Sequence, residues 1–337
     1  MTSTRHKLSS TQKELLKIYT VIKKICEKNK IRFYAVGGTA LGAVRHQGFI
    51  PWDDDIDLGM PIDDFNKFVQ VCKKELPQPY KFSPLHLLGG KVHNTNTTFL
   101  EAQCTFSNQN QHYGIFIDIF PIIGVPNQKS DRKAFLKEIN QFFIKSFIFD
   151  RYPTISKLSK KEIETWRDKL IYKYNLNNSK YAAEFATGFN FIKNTSGMEK
   201  PIIMQFENTT IPVPSSFDLD LKNQYGNYHK IPPISERHTH DKYALINDQK
   251  PYLYYYRKIN NIDPEILNFL KLKDEQEGLF FNDLQQINLE HNELIKLYNQ
   301  QNQELSKLRY DLDQIIQSRG YKVMRKLQKL SALTKRK

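Results

Sequence analysis

Four aspartates occupy five consecutive positions in Asp53-Asp54-Asp55-Ile56-Asp57, directly after Gly48-Phe49-Ile50-Pro51-Trp52. Carboxylates this close repel one another, and a fold keeps them together only where something cationic sits among them. A divalent metal such as Mg²⁺ is the natural candidate, because it favours hard oxygen ligands and is commonly shared with substrate phosphates. Side chains at i and i+2 of a strand share a face. A strand over residues 55–60 would therefore present Asp55 and Asp57 to one side while Ile56 and Leu58 pack inward.

The surrounding pattern alternates helix and strand, the mark of an α/β (α+β) domain. Leu15, Leu16, Tyr19, Ile22, Ile25 and Cys26 fall at three- and four-residue steps, predicting an amphipathic helix over residues 9–28 with Ser10 or Thr11 as its cap. Residues 31–36 read as a strand stopped by Gly37-Gly38, residues 39–46 as a short helix, and residues 61–76 as a helix opened by Asp63 and Asp64. Residues 114–121 are a further strand candidate in which Asp118 interrupts an apolar run. Burying a lone carboxylate costs several kcal/mol unless it is paired or metal-bound, so Asp118 supports the same site. Residues 129–150 and 159–176 read as helices, and residues 201–233, rich in Pro, Asn and Tyr, as a loop-dominated lobe.

Three converging carboxylates suit phosphoryl chemistry, in which metals neutralise phosphates and lower the acceptor hydroxyl's pKa while a carboxylate takes its proton. Asp55, Asp57 and Asp118 are the metal and catalytic candidates. Gly37-Gly38 fits neither the P-loop nor the GxGxxG pattern, but a glycine pair between strand and helix lets backbone amides approach a phosphate at the helix N-terminus. Gly37, Gly38 and Thr39 are accordingly donor-binding candidates, with Arg45 and His46 at the far end of that helix. An EF-hand is excluded by spacing. His238 and His240 form an HxH pair without a cysteine or third histidine at zinc spacing.

Charge and periodicity set residues 263–337 apart. Leu284, Ile287, His291, Leu294, Tyr298, Gln301, Leu305, Leu308, Leu312 and Ile315 alternate steps of three and four, predicting a long helix or coiled coil within residues 263–318 and possible self-association. Residues 319–337 carry eight basic and no acidic residues, out of a formal net charge of +14. With Val323, Met324, Leu327, Leu330 and Leu333 at helical spacing, this tail has the pattern of an amphipathic segment on an anionic lipid surface. A nucleic-acid partner is not expected, since no recognisable module accompanies the charge. Three scattered cysteines suit a reducing compartment. No uncharged stretch approaches 18 residues, so the expected location is cytoplasmic, peripheral to the inner face of the membrane.

The run Gly38-Thr39-Ala40-Leu41-Gly42-Ala43-Val44-Arg45-His46, with Gly48 through Asp57, resembles the signature of the LicD family. That family includes bacterial phosphorylcholine transferases and is related to fukutin and fukutin-related protein. Tyr113-Gly114-Ile115-Phe116-Ile117-Asp118-Ile119-Phe120-Pro121 resembles its second acidic strand, and Lys91 with Asn96-Thr97-Thr98 a middle motif. Phe206-Glu207, Tyr225-Gly226-Asn227-Tyr228, Pro232-Pro233, Glu236-Arg237 and His240 resemble the C-terminal part, although Asn227 stands where an aspartate is expected.

The resemblance implies a nucleotidyltransferase-like mixed sheet flanked by helices over residues 1–262. It also implies transfer of phosphocholine or an alditol phosphate from a CDP-linked donor to a hydroxyl of a cell-surface glycan, releasing CMP. Carried over, Asp55 and Asp57 hold Mg²⁺ (or Mn²⁺), Asp118 is third ligand or base, and Asp53 assists. Lys91, Arg45 and Arg237 face the donor's phosphates, and Glu207 is a substrate contact or a buried structural carboxylate. Two alternatives stay open: a nucleotidyltransferase that leaves the nucleotide on its acceptor, and a non-catalytic coiled-coil scaffold.

Overall fold

The computed structural model describes residues 7–85, 89–101, 113–151, 158–185, 192–237, 239, 244–258 and 265. The coiled-coil and tail expectations, and those for His238, His240 and Cys104, lie outside these residues.

Helix α1 (Ser10–Asn29) is capped by Ser9, not by Ser10 or Thr11. Gln12 decides the start: its N–H donates to Ser9 Oγ at 3.0 Å while its Oε1 accepts from the Ser9 N–H at 3.0 Å, a capping box. The chain continues through β1 (Tyr34–Ala35), α2 (Gly37–His46), β2 (Asp57–Pro61) and α3 (Ile62–Glu75). Then come β3 (Tyr80–Leu85), β4 (Gly89–Asn94), β5 (Thr98–Glu101), β6 (Phe116–Val125), α4 (Lys129–Arg151) and α5 (Lys160–Ile171). The remainder comprises β7 (Tyr181–Glu184), β8 (Lys193–Asn194), α6 (Ser196–Glu199), β9 (Ile202–Phe206), β10 (Thr209–Val213), α7 (Phe217–Tyr225), β11 (Ala244–Asn247) and α8 (Tyr252–Lys258).

A mixed sheet runs β1-β2-β6-β4-β3, with β7 added to the later half of β6 and β8 to β7. Only β2 and β6 are parallel within it. The strand expected over residues 31–36 is confined to two residues. The expected strand at 55–60 begins at Asp57, so Asp55 lies in the segment leading into β2 and the i, i+2 argument does not place it. The expected loop lobe at 201–233 instead holds the β9–β10 hairpin and α7.

One face of the sheet packs on α1, where Leu15, Ile18, Tyr19 and Ile22 interlock with Ile56, Leu58, Ile117 and Ile119. A second core joins the later half of β6 to α4 and α5 through Ile123, Val125, Phe135, Phe142 and Leu170. Arg32 fastens the turn after α1 to α3, its Nε donating to Asp64 Oδ2 at 2.7 Å. Among the described residues, no helix is long and apolar enough to cross a membrane.

Candidate active site

Asp57 opens β2 and Asp118 is the third residue of β6; the parallel register makes them direct neighbours. On the other side of Asp118 the antiparallel register of β4 places Lys91. Three adjacent strands thus present carboxylate, carboxylate and ammonium in one row. Burial alternates at the start of the apolar strand that Asp118 interrupts: Ile117 and Ile119 are fully buried while Phe116, Asp118 and Phe120 are half-buried on the site face.

Lys91 Nζ stands 3.6 Å from Asp118 Oδ1 and 3.6 Å from Glu101 Oε2, at the end of β5, and lies 3.3 Å from the centre of the Phe116 ring. These groups line a pocket of about 90 Å³ that Asp55 also borders. The loop carrying the aspartates is anchored from α1, because Gln12 Nε2 donates to the Asp53 carbonyl at 2.7 Å.

The start of α2 closes the other side. Thr39 Oγ1 accepts from the Asp57 N–H at 2.8 Å. A Cβ on Gly38 would come within 2.9 Å of Asp53 Oδ2, and one on Gly37, whose φ is +54°, within 3.4 Å of Asp57 Oδ2. The glycine pair therefore permits both the left-handed backbone and the close approach of the helix end to two carboxylates.

Electrostatics match this crowding. Burial, then the charges of Asp55, Asp118 and Asp53, hold the Asp57 carboxyl well above the usual carboxylate range, with Lys91 opposing. Burial pushes Asp118 up to about 6; Lys91 opposes the rise, and Asp55 and Glu101 add to it. Among the described residues, no three His, Cys, Asp or Glu side chains already converge on one point that could hold a metal ion. Like-charged carboxylates without a cation repel one another, and the hard-oxygen donor set of Asp57, Asp118 and the adjacent Asp55 fits Mg²⁺ or Mn²⁺ in kind.

Arg45, Arg237 and Glu207 take partners outside this group. Arg45 donates to the Tyr228 carbonyl at 2.7 Å and to His46 Nε2 at 2.8 Å. Arg237 stacks on Trp52 at 4.3 Å and donates to the Pro232 carbonyl at 3.1 Å. Glu207 Oε1 accepts from the Phe49 N–H at 3.0 Å, bracing the loop between α2 and the aspartates. One site residue, Glu101, is not singled out by sequence pattern, and Tyr225 enters it only as part of the Tyr225-Gly226-Asn227-Tyr228 motif. Glu101, which shares Lys91 with Asp118, lacks any motif of its own. Tyr225, one aromatic among many in the sequence, brings its hydroxyl 4.0 Å from where a Gly37 Cβ would stand, the point that Asp57 Oδ2 also approaches.

Comparison with known proteins places part of the chain beside known sequences. Residues 30–156 match the family model described as LicD/FKTN/FKRP, nucleotidyltransferase domain. The chain is 26% identical over 259 residues, 69% of its length and 96% of the relative's, to lipopolysaccharide cholinephosphotransferase LicD of Haemophilus influenzae. It is 36% identical over 92 residues, 26% of its length and 29% of the relative's, to an uncharacterized protein of Rickettsia typhi. Over 47 residues, 14% of this chain and 10% of the relative's, it is 40% identical to human ribitol 5-phosphate transferase FKRP.

Proposed function

Because the chain belongs, through residues 30–156, to the LicD/FKTN/FKRP nucleotidyltransferase family, we propose that it is a phosphotransferase moving phosphocholine or an alditol phosphate from a CDP-linked donor to a glycan hydroxyl, with release of CMP. The register pairing of Asp57 with Asp118 beside Lys91 carries this reading. So does the chemistry in the names of its relatives, one a cholinephosphotransferase and one a ribitol 5-phosphate transferase.

Asp57 and Asp118, with Asp55, would hold a divalent cation, Mg²⁺ or Mn²⁺. Such an ion supplies neutralisation of the diphosphate and acidification of the incoming hydroxyl. The protein's own groups do the rest. Lys91 offers a cation beside the diphosphate, and the amides opening α2 at Gly37, Gly38 and Thr39 favour negative charge at the helix N-terminus. Asp118, beside Asp57 on the neighbouring strand, is either the third ligand of that cation or the base that takes the acceptor's proton. Arg45 and Arg237 act at one remove, fixing residues 228–232 over the Trp52 loop.

A choline head group favours aromatic faces, for which Trp52, Tyr113, Tyr225 and Tyr228 are candidates. Trp52 is covered by Arg237. Tyr113 packs 4.8 Å from Tyr252, and Tyr228 is buried with its hydroxyl on Asp218 at 2.9 Å. Tyr225, 40% exposed, remains to face the donor. Residues 263–318 would form a self-associating helical region, and residues 319–337 would bind the anionic inner face of the cytoplasmic membrane.

The deciding experiment incubates purified protein and Mg²⁺ with CDP-choline, CDP-ribitol and CDP-glycerol and a glycan acceptor, following nucleotides by chromatography. Acceptor-dependent CMP supports transfer of the head group and identifies it. Pyrophosphate release from a nucleoside triphosphate would instead establish nucleotidyl transfer, and no turnover with any donor would point to a scaffold.

A further inference from the structure

Lys91 is flanked by carboxylates from two separate sheets, and the second of these has no part in the transfer reaction. On one side stands Asp118, its register neighbour on β6. On the other stands Glu101, the last residue of β5. β5 pairs with β11 and not with the main sheet, and Glu101 is the register partner of Ala244 there. Alternation along β5 explains how its last residue reaches the site. Phe99 and Glu101 share a face and both line the pocket of the carboxylates, whereas Leu100 turns to Leu245, Tyr252 and Tyr255. The Phe99 ring meets the Phe116 ring edge-on at 5.3 Å, which fixes β5 against β6 at this point.

The ammonium is poised between its two acids. Lys91 Nζ lies 3.6 Å from Asp118 Oδ1 and 3.6 Å from Glu101 Oε2. A charge-assisted hydrogen bond from an ammonium to a carboxylate closes to about 2.7–2.9 Å, so Lys91 rests on neither. It sits over the Phe116 ring instead, 3.3 Å from its centre, where the ring face favours a cation. The side chains of Lys91 and Asp118 are each 18% exposed and that of Glu101 27%, and charges this far out of water are screened weakly. Asp118 alone would draw the ammonium onto its own oxygen. Bound there, Lys91 would repel a divalent cation on the same carboxylate. Glu101 opposes that pull with an equal charge at an equal distance.

We propose that Glu101 is a positioning residue: it holds the Lys91 ammonium back from Asp118, so that this carboxylate stays open to the divalent cation while the lysine remains beside the diphosphate. Ion and ammonium then act on the donor together instead of excluding each other. Glu101 does this through Lys91 and not by contact with the donor. Its effect on the ion rests on the reading of Asp118 as one of the ion's ligands; the seat of Lys91 between two acids does not.

The test reads geometry and ion affinity, neither of which needs turnover. In crystals of the metal-free full chain, Glu101→Gln is expected to bring Lys91 Nζ to about 2.7–2.9 Å from Asp118 Oδ1, the length of a charge-assisted hydrogen bond. A lysine that keeps its 3.6 Å separation in that variant overturns the proposal. Mn²⁺ binding to the full chain is followed by the electron paramagnetic resonance of the free ion. Glu101→Gln should weaken it by about tenfold, within the range of couplings inside one ion-pair network. A plain loss of negative charge near the ion is told apart by making the same change in a Lys91→Met background, where most of the loss should disappear. An equal loss in both backgrounds overturns action through Lys91. Lys91→Met alone should bind Mn²⁺ more tightly than the wild type, because no ammonium then competes for Asp118. Weaker binding by that variant overturns the competition, and this arm stands even where Glu101→Gln does not fold. No Mn²⁺ binding by the wild type would overturn Asp118 as a ligand, and with it the effect of Glu101 on the ion, whatever the lysine does in the crystal.

Discussion

Asp57 and Asp118 are register partners on adjacent parallel strands, two carboxylates placed side by side by the backbone itself. Without a cation this pairing works against folding, since burial and neighbouring charge both disfavour the ionised forms. Asp57→Asn should therefore stabilise the chelated protein, by on the order of 1 kcal/mol, while abolishing transfer. Wild-type protein should gain thermal stability on adding Mg²⁺ or Mn²⁺, and the variant should not. Differential scanning fluorimetry with and without chelator reads both effects. A variant that is less stable in chelator, or that still responds to Mg²⁺, removes Asp57 from the metal site.

Lys91 holds the chelated site together from the other side. It stands 3.6 Å from both Asp118 and Glu101, with 18% of its side chain exposed. Removing its charge by Lys91→Met leaves two carboxylates without their shared cation. The expected loss is about 1–3 kcal/mol, between that of an exposed and a fully buried pair. Mg²⁺ should recover part of it by replacing positive charge at Asp118. Urea unfolding at two metal concentrations measures this, and a loss unaffected by Mg²⁺ would separate Lys91 from the metal.

How much of this was legible in the sequence follows from what each element carries. The strand around Asp118 announces itself because apolar residues flank one acid, and α3 because Asp63 and Asp64 open it. By contrast β4, central to the sheet, reads Gly-Gly-Lys-Val-His-Asn. Its buried His93 and Asn94 are polar and satisfied by Ser83 at 2.7 Å and Glu14 at 2.6 Å, so no hydrophobic alternation betrays it. Period alone puts Asp55 and Asp57 on one strand, whereas the strand begins at Asp57. The segment before it is fixed by Gln12, 41 residues away, a contact no local pattern records.

The basic tail gives a prediction that needs no turnover. Residues 319–337 hold eight basic residues and no acid, and each near an anionic surface adds about 1 kcal/mol of attraction. Deleting them should strongly weaken cosedimentation with phosphatidylserine or phosphatidylglycerol vesicles, and high salt should mimic the deletion in the intact protein. Turnover of a soluble acceptor should be nearly unchanged. Equal vesicle binding by the truncated chain would discard the lipid role.

His46 provides a pH dependence away from the aspartates. Burial, with help from Arg45, lowers its pKa, and the neutral ring accepts from Arg45 Nε. The folded protein thus binds this proton less readily than the unfolded chain. Stability from His46 is fully present above the ordinary histidine pKa and is lost as pH falls below it. His46→Gln should flatten the decline in melting temperature between pH 7 and 5. A slope as steep as the wild type's assigns that decline to other groups.

Glu207 has two readings, substrate contact and structural carboxylate, and its variants separate them. It occupies the left-handed region, φ 54°, which a two-residue hairpin turn requires at its first position. Its N–H donates to the Gln47 carbonyl at 2.9 Å, and its carboxylate accepts from the Phe49 N–H at 3.0 Å. A Cβ on Gly48 would overlap that carboxylate, so the glycine makes room for the brace. Glu207→Ala keeps the unfavourable backbone and strands the Phe49 N–H, and should cost about 1–3 kcal/mol. Glu207→Gly relieves the backbone and should be milder by roughly 1 kcal/mol. Glu207→Gln retains the accepting oxygen and should be near wild type in urea unfolding. If Glu207→Gln instead unfolds normally while the KM for the glycan rises severalfold, the carboxylate touches substrate and the brace is not its main role.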